Sequence, residues 1–451
     1  MPEEKESALT FVREVLASGI TEESVSKLLE QFQPYDLAEV FPELERDEQY
    51  QLLSSLPADL TAEILEHLPF DEQYRILDDL DKTLAREIVN AMSSDALADL
   101  VMAIHPRQGQ RLLSWLSEDY QAQITALMAY PDDTAGSLAT VDYIAAREHW
   151  TAKQALDHVR KVGREAEIVS YIYVLDAKGR LVGVTSLRDL ILSPVDAKVG
   201  DVMNSKVVSV SAHADQEEVA NTLANYDFVA VPVVDDARRM VGIVTVDDVL
   251  DVIKEEATED FQLIGGSQPL DEPYLKSSLL HLFRKRIGWL LLLFVAGALT
   301  SNILAWQADA LEKAVSLAFF IPLLIGTGGN SGSQAATLVI RAIAVGEVST
   351  RDFLRVIWRE ARLGVALGLT MGMVMFIRAL TLGESPSLGI TVAFAIVAIV
   401  TFSSSLGATL PIIGKRLGFD PAVFSAPMIS TLVDATGLLI YFQVARWILG
   451  I

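Results

Sequence analysis

The spacing of apolar positions changes along this 451-residue chain, and each change marks a different kind of structure. Over residues 1–135, short stretches such as YDLAEV, ADLTAEIL and SDALADLV set Leu, Ile and Val among acids at helical spacing, which predicts short amphipathic helices. Asp36 and Asp59 stand 23 residues apart, and Asp71 and Asp95 stand 24 apart, a period that suits stacked helix pairs in a curved solenoid. Over 136–253, two apolar strand-like runs, YIYVLD and FVAVPVVDD, each lead through a turn into a second strand and a helix. The stretch VDDVLDVIKEEATEDFQLIGG keeps Val249, Val252, Ile253, Phe261 and Leu263 on a narrow apolar side, so an amphipathic helix is expected there. Gly265 and Gly266 end it, and Pro269 and Pro273 begin a linker. Beyond it, five segments (near 286–306, 314–342, 355–380, 389–413 and 422–449) approach the ~20 apolar residues that cross a bilayer. The expected fold is therefore multidomain: an all-α helical-repeat domain over 1–135, an α/β repeat pair over 136–253, a connecting amphipathic helix and linker over 246–276, and a five-helix transmembrane domain over 277–451.

Charge sharpens that division. Residues 277–451 hold 8 acids and 13 Lys or Arg, whereas residues 1–276 hold 52 acids and 23 bases. An acidic front half disfavours nucleic acid as a partner and favours cations. Arg284, Lys285 and Arg286 precede the first span; Arg341, Arg351, Arg355, Arg359 and Arg362 lie between spans two and three; Lys415 and Arg416 separate spans four and five. Such a bias places the N-terminal half in the cytoplasm and, with five spans, the C-terminus outside the inner, cytoplasmic membrane. MPEEKESALT lacks the apolar core of a signal peptide. There is no cysteine, and all six histidines precede the spans, so thiolate sites and a pore imidazole are excluded.

Two stretches of the membrane half carry chemistry. One carboxylate, Asp434, sits deep in the last span; Asp309, Glu312, Glu347, Asp352, Glu360, Glu384 and Asp420 are expected in loops or at span ends. An acid at membrane depth is costly and by default faces water or a bundle interior on an ion path; the bland alternative is a structural acid paired with a buried donor. Span two reads IPLLIGTGGNSGSQAATLVIRA, where Pro322, Gly326, Gly328, Gly329 and Gly332 argue against a continuous helix. A broken backbone there would offer carbonyls beside Thr327, Asn330, Ser331, Ser333 and Gln334, all oxygen donors for a hard, hydrated cation. Close helix packing through small residues is the competing account. One Asp per chain is thin for a divalent charge, so a two-fold homodimer pairing two copies of Asp434 is expected.

GRLVGVTSLRDLI and RRMVGIVTVDDVL superimpose, with Gly183, Ser186 and Asp189 each 59 residues before Gly242, Thr245 and Asp248. This G-x-x-[ST]-x-x-D pattern is that of CBS modules, which pair into one unit. The resemblance implies an adenine nucleotide such as ATP at Tyr171, Arg188, Asp189, Ala224 and Phe228. Alternatively, Asp189 and Asp248 only cap helices.

The runs GTGGNSGSQ and DPAVFSAPMISTLVDATGLLIY closely resemble the magnesium channels and transporters of the MgtE type, and the likeness covers nearly the whole chain. It implies a homodimeric Mg²⁺ channel that is not an enzyme and is closed by cytosolic Mg²⁺. The pore set would be Asp434, Asn330, Ser333, Gly326, Thr327 and Ala426. Family members often carry Asn where Ser333 and Ala426 stand, which leaves a broader Mn²⁺ or Co²⁺ selectivity open. The acids expected to bind regulatory Mg²⁺ are Asp95, Asp99, Asp133, Asp215, Glu217, Asp227 and Asp420, with Asp247, Asp248, Asp251, Glu255, Glu256, Glu259 and Asp260 of the connecting stretch. Two readings from other classes compete with transport. An intramembrane aspartyl enzyme needs a second nearby carboxylate that no span supplies within one chain. A non-conducting nucleotide receptor leaves Asp434 without a role.

Overall fold

A computed structural model describes residues 2–19, 21–164, 166–270 and 273–450. The chain divides into two compact units, residues 1–253 and 254–451.

In the first unit, ten short α-helices among the described residues run from Pro2–Ser18 to Glu118–Leu127. Local chemistry starts them. Thr21, Asp81 and Ser117 accept backbone N–H groups of the first turn, and Pro34 and Pro106 occupy first-turn positions where no N–H is needed. Tertiary packing holds them, because helices this short are marginal alone. Pro34–Val40 packs on Ala58–Glu66, which packs on Lys82–Ala91; Phe70–Asp79 packs on Ser94–Ala103, which packs on Glu118–Leu127. Contact between helices two places apart is the solenoid the Asp spacing suggested. Leu37, Phe41, Leu53, Ile64, Leu65, Leu77, Ile88 and Leu97 fill its core.

The repeat pair forms two three-stranded sheets. In the first, β1 (Ile144–Ala146) runs parallel to β2 (Tyr171–Leu175), which is antiparallel to β3 (Leu181–Ser186). In the second, β4 (Val210–Ser211), β5 (Ala230–Val234) and β6 (Met240–Thr245) repeat that order. Even the bulges correspond, at Val174/Leu175 and Val233/Val234. So do the hairpin ion pairs, Asp176 with Arg180 and Asp235 with Arg239, each at 2.7 Å. The repeated glycines are required by close approach. A Cβ on Gly183 would lie 2.2 Å from the Met203 sulfur, and one on Gly242 would lie 2.4 Å from the Thr140 carbonyl.

The connecting helix, Val246–Ile264, begins where β6 ends. Its expected apolar side holds only in part. Val249 and Val252 are buried and Leu263 packs with a membrane-unit cluster, but Ile253 and Phe261 are exposed. Gly266, at φ +74°, turns the chain after it. Its missing side chain leaves room for Trp289, whose indole nitrogen would lie 2.8 Å from a Cβ there.

Five helices of the second unit are long and apolar enough to cross a membrane: Leu279–Trp306, Val315–Ala344 with a leading 3₁₀ turn, Thr350–Thr381, Pro386–Arg416 and Ala426–Leu449. They are called spans one to five below. The second span corrects the expectation of a broken backbone, for Ile321–Ala344 is a single α-helix. Pro322 falls in its first turn, where proline costs no hydrogen bond. Its glycines cost about 1 kcal/mol each in propensity, and close packing compensates. A Cβ on Gly329 would lie 2.3 Å from the Ser430 hydroxyl, and one on Gly407 of span four would lie 2.1 Å from the Gly332 carbonyl. The small residues serve packing, and the carbonyls of Gly326 and Thr327 belong to a helical ladder. A second refinement concerns Glu360, which lies inside the third helix. That helix has 29 residues and so exceeds the ~30 Å hydrocarbon thickness, which lets its first turns, with Arg355, Arg359 and Glu360, extend beyond it.

Candidate functional site

Spans two and five pair antiparallel. Ser333 donates to the Ala426 carbonyl at 3.1 Å, Gly332 meets Ile429, Gly329 meets Ser430 and Gly328 meets Val433. Asp434 therefore lies at the level of Thr327 and Gly328, within a turn of Asn330. It is half-buried and about 12 Å along its helix from Ala426, within about a turn of the helix midpoint. Gly326, Asn330 and Gln334, each one turn apart, form an exposed stripe on span two, flanked by half-buried Thr327 and Ser333. Ser331 faces inward and shares a 2.7 Å hydrogen bond with Ser404 of span four. Ala426 contributes its carbonyl, already engaged by Ser333, and no side-chain donor.

A second locus joins the connecting helix to the end of span five. Asp260, half-buried, faces Asp420 and Glu256, with Arg341 opposing them. Burial first, then these two carboxylates, push Asp260 up to about 6. Asp420 accepts the Ala422 N–H at 2.7 Å, which orients it. Leu263 and Ile264 pack on Ala336, Ile340, Ala422, Ile429 and Val433, so the end of the connecting helix rests on the span-two/span-five pair. The Gln268 N–H of the following linker donates to the Lys285 carbonyl at 3.1 Å, and Trp289 Nε1 of span one donates to Ser425 Oγ, at the start of span five, at 3.2 Å. Glu255 and Glu259 lie on the exposed side of the connecting helix.

The third locus is in the first unit, where acids far apart in sequence converge. Asp95 has one carboxylate oxygen, Oδ1, shut from solvent with no hydrogen-bond partner among the described residues. Burial and the neighbouring Asp248 and Glu167 hold its carboxyl well above the usual range. Burial with Asp248 and Asp247 pushes Glu167 up to about 7, while burial raises Glu66 and Asp142. Asp248 is also raised by burial, although Thr245 donates to it at 2.7 Å. A cavity of about 840 Å³ beside them is lined by Asp59, Glu63, Glu66, Asp142 and Glu167, with Arg164 and Tyr120. Among the described residues no three acids converge closely enough to chelate an ion directly. The donor set, all oxygen with an orphaned carboxylate, fits a hydrated hard cation that keeps its waters. Sequence reasoning picked out Asp95, Asp247 and Asp248 and missed Glu66, Asp142 and Glu167. Glu66 ends a helix, and Asp142 and Glu167 lie in two separate loops, so no spacing could announce them together.

The remaining predicted acids are scattered. Asp99 is exposed one turn beyond Asp95, and Asp251 is exposed on the connecting helix. Asp215 caps the helix Gln216–Tyr226 by accepting the Glu217 N–H, and the Asp133 carbonyl takes the Gln216 N–H, which brings Asp133, Asp215 and Glu217 together. Asp227 is the left-handed C-cap of that same helix, about 16 Å away, so it does not join them.

A cavity of about 230 Å³ between the two sheets is lined by Tyr171, Asp189 and Phe228 as expected. Arg188 and Ala224 are exposed and are not among the residues that line it. Tyr173, Thr185, Asn204 and Lys206 do. The hydroxyls of Tyr173 and Thr185 are buried without partners among the described residues, so this cavity has polar groups awaiting a ligand. The capping alternative is corrected too: Ser186, not Asp189, accepts the helix N–H, and Asp189 takes the Ser186 hydroxyl at 2.6 Å.

A five-span membrane unit, an intramembrane acid at the level of a polar stripe on the neighbouring span, and an acidic cytosolic-type unit define a divalent cation transporter. Comparison with known proteins agrees. A family model described as a divalent cation transporter matches residues 321–444, the MgtE intracellular N domain matches 32–133, and CBS domains match 135–195 and 199–255. The chain is 43% identical over 448 residues to the magnesium transporter MgtE of Thermus thermophilus, covering 99% of each. It is 35% identical to that of Bacillus subtilis, covering 93% of this chain and 92% of that protein. The chain belongs to the MgtE family. Among solved structures, the cytosolic domain of the Mg²⁺ channel MgtE in complex with ATP is 43% identical and matches 54% of this chain and 99% of that one, with a TM-score of 0.50. The soluble part of a magnesium transporter matches 56% of this chain and 99% of that one at 31% identity, with a TM-score of 0.52.

Proposed function

We propose that this protein is a homodimeric, non-catalytic Mg²⁺ channel that imports magnesium across the cytoplasmic membrane, with its N-terminus inside and C-terminus outside. The observation that carries this is the position of Asp434 at the level of the polar stripe of span two, which the chain's own helices leave exposed. A second copy across a two-fold axis would close that stripe around the ion path and supply a second carboxylate. Mg²⁺ crosses with most of its waters, so Asn330, Ser333 and Gln334 act on hydration water while Asp434 provides the charge. Residues 277–451 form the pore, 1–135 and 136–253 sense, and 246–276 connect them.

Cytosolic Mg²⁺ closes the channel. The clustered acids around Asp95 and Asp248, and Asp260 with Asp420, repel when bare; hydrated Mg²⁺ between them removes that repulsion. Moving a two-state gate from 1:99 to 99:1 takes about 5.5 kcal/mol, so several weak sites at about 1 kcal/mol each suffice. ATP or another adenine nucleotide occupies the cavity between the sheets, as supported by the ATP complex of the related cytosolic domain.

The test is Mg²⁺ flux into liposomes for wild type and Asp434→Ala, with cytoplasmic-side Mg²⁺ varied. Flux that needs Asp434 and falls as that Mg²⁺ rises is expected. Equal flux in wild type, variant and empty liposomes refutes the pore. Inhibition that survives replacement of Asp248, Asp251, Glu255 and Glu259 by Asn or Gln refutes the sensor.

A further inference from the structure

A cavity of about 410 Å³ lies away from the pore pair, where the first span ends and the fifth is in its final turns. Its wall of Leu439, Ile440 and Val444 is apolar apart from Gln443, and its polar end is made by Trp306, Gln307 and Arg446. Leu439 and Arg446 lie about 120–140° around the fifth helix from Asp434, so this face does not border the ion path. Gln307 is 3% exposed, and its side-chain oxygen accepts a 2.6 Å hydrogen bond from Arg446 Nη2. The guanidinium also stacks 5.8 Å from the Trp306 ring centroid. It is thus aimed from two sides, yet that hydrogen bond uses one of its five N–H donors, and no carboxylate pairs with it among the described residues.

We infer that this cavity binds one phospholipid, its phosphate on the open donors of Arg446 and one acyl chain along Leu439, Ile440 and Val444. The inference rests on reading the five helices as spans. Trp306 is the last residue of the first span and Arg446 lies about 4.5 Å before the end of the fifth, which sets the polar end at headgroup level, where tryptophan and arginine anchor. The apolar wall lies deeper, toward acyl chains. A planar fork held by a buried amide suits a phosphodiester better than a diffuse counterion.

The experiment is native mass spectrometry of the delipidated full-length protein in detergent, titrated with dioleoyl phosphatidylglycerol. Arg446→Gln is the test variant. Arg378→Gln, another arginine in the last turn of a span but outside this cavity, is the control. The expected result is one tight lipid per chain, weakened at least about tenfold in Arg446→Gln and within twofold of wild type in Arg378→Gln. Leu439→Trp, which fills the apolar wall, should weaken it as well and stands in if Arg446→Gln does not fold. Equal losses in the Arg446 and Arg378 variants, or unchanged binding in both Arg446→Gln and Leu439→Trp, would overturn the inference. Displacement of the lipid by millimolar inorganic phosphate would overturn it too, by marking a site for a free anion.

Discussion

Asp95→Asn probes the acidic cluster of the first unit most directly. The wild-type carboxylate has a solvent-excluded, unpartnered oxygen and faces Asp248 and Glu167. Without Mg²⁺, an ionised Asp95 is penalised by burial of its charge and by repulsion from its neighbours; the uncharged amide loses the repulsion and part of the burial cost, together ~1–3 kcal/mol. Taking about 2 kcal/mol, and about 2–4 °C per kcal/mol for a unit of this size, the variant should melt about 4–8 °C higher than wild type in EDTA. Adding Mg²⁺ should raise wild type and barely move the variant, since binding to the folded state alone stabilises by mass action. pH offers an independent check. Folded-state carboxyls raised above their unfolded values bind more protons in the native state, so stability falls as pH rises through that interval. For Glu167 the interval runs from the ordinary carboxylate range to about 7. Wild type in EDTA should therefore be more stable at pH 5.5 than at pH 7.5, and the Mg²⁺ increment should be larger at pH 7.5, where protons no longer occupy the cluster. Scanning fluorimetry of the full-length protein reads all four conditions. A lower melting temperature for Asp95→Asn in EDTA, with an undiminished Mg²⁺ increment, would refute the reasoning.

Three further outcomes follow from the same geometry. Gly407→Ala forces a Cβ against the Gly332 carbonyl, so spans two and four must separate; a loss of about 1–3 kcal/mol is expected, read as reduced thermal stability in detergent. Trp289→Phe deletes the 3.2 Å bond that ties span one to Ser425 at the start of span five, and at about 1 kcal/mol should raise residual flux at saturating cytoplasmic Mg²⁺ several-fold, measured in liposomes. Phe228→Ala should weaken adenine nucleotide binding by about tenfold or more through lost stacking surface, measured by calorimetry, while Ala224→Ser should leave it unchanged because Ala224 does not line the cavity.

Much of this protein was legible from order along the chain. The five spans, the basic loops, the 59-residue repeat and the singular depth of Asp434 are local or periodic properties, set by residues within a few turns of one another. What escaped depended on neighbours distant in sequence. Glycines in span two are unfavourable for an isolated helix, yet Ser430, Val433 and Gly407 supply packing that keeps it continuous, and only the assembled bundle reveals that. Asp95 and Asp248 lie on two different helices and Asp142 and Glu167 in two separate loops, and only folding brings them close enough for burial and mutual repulsion to shift their titration. Arg446 looked like an ordinary charge near a helix end until Gln307 and Trp306 were placed against it. Backbone periodicity acts over one helical turn, whereas desolvation and Coulomb repulsion depend on distance in space, so the sequence determined the elements and tertiary structure decided which of their charges meet.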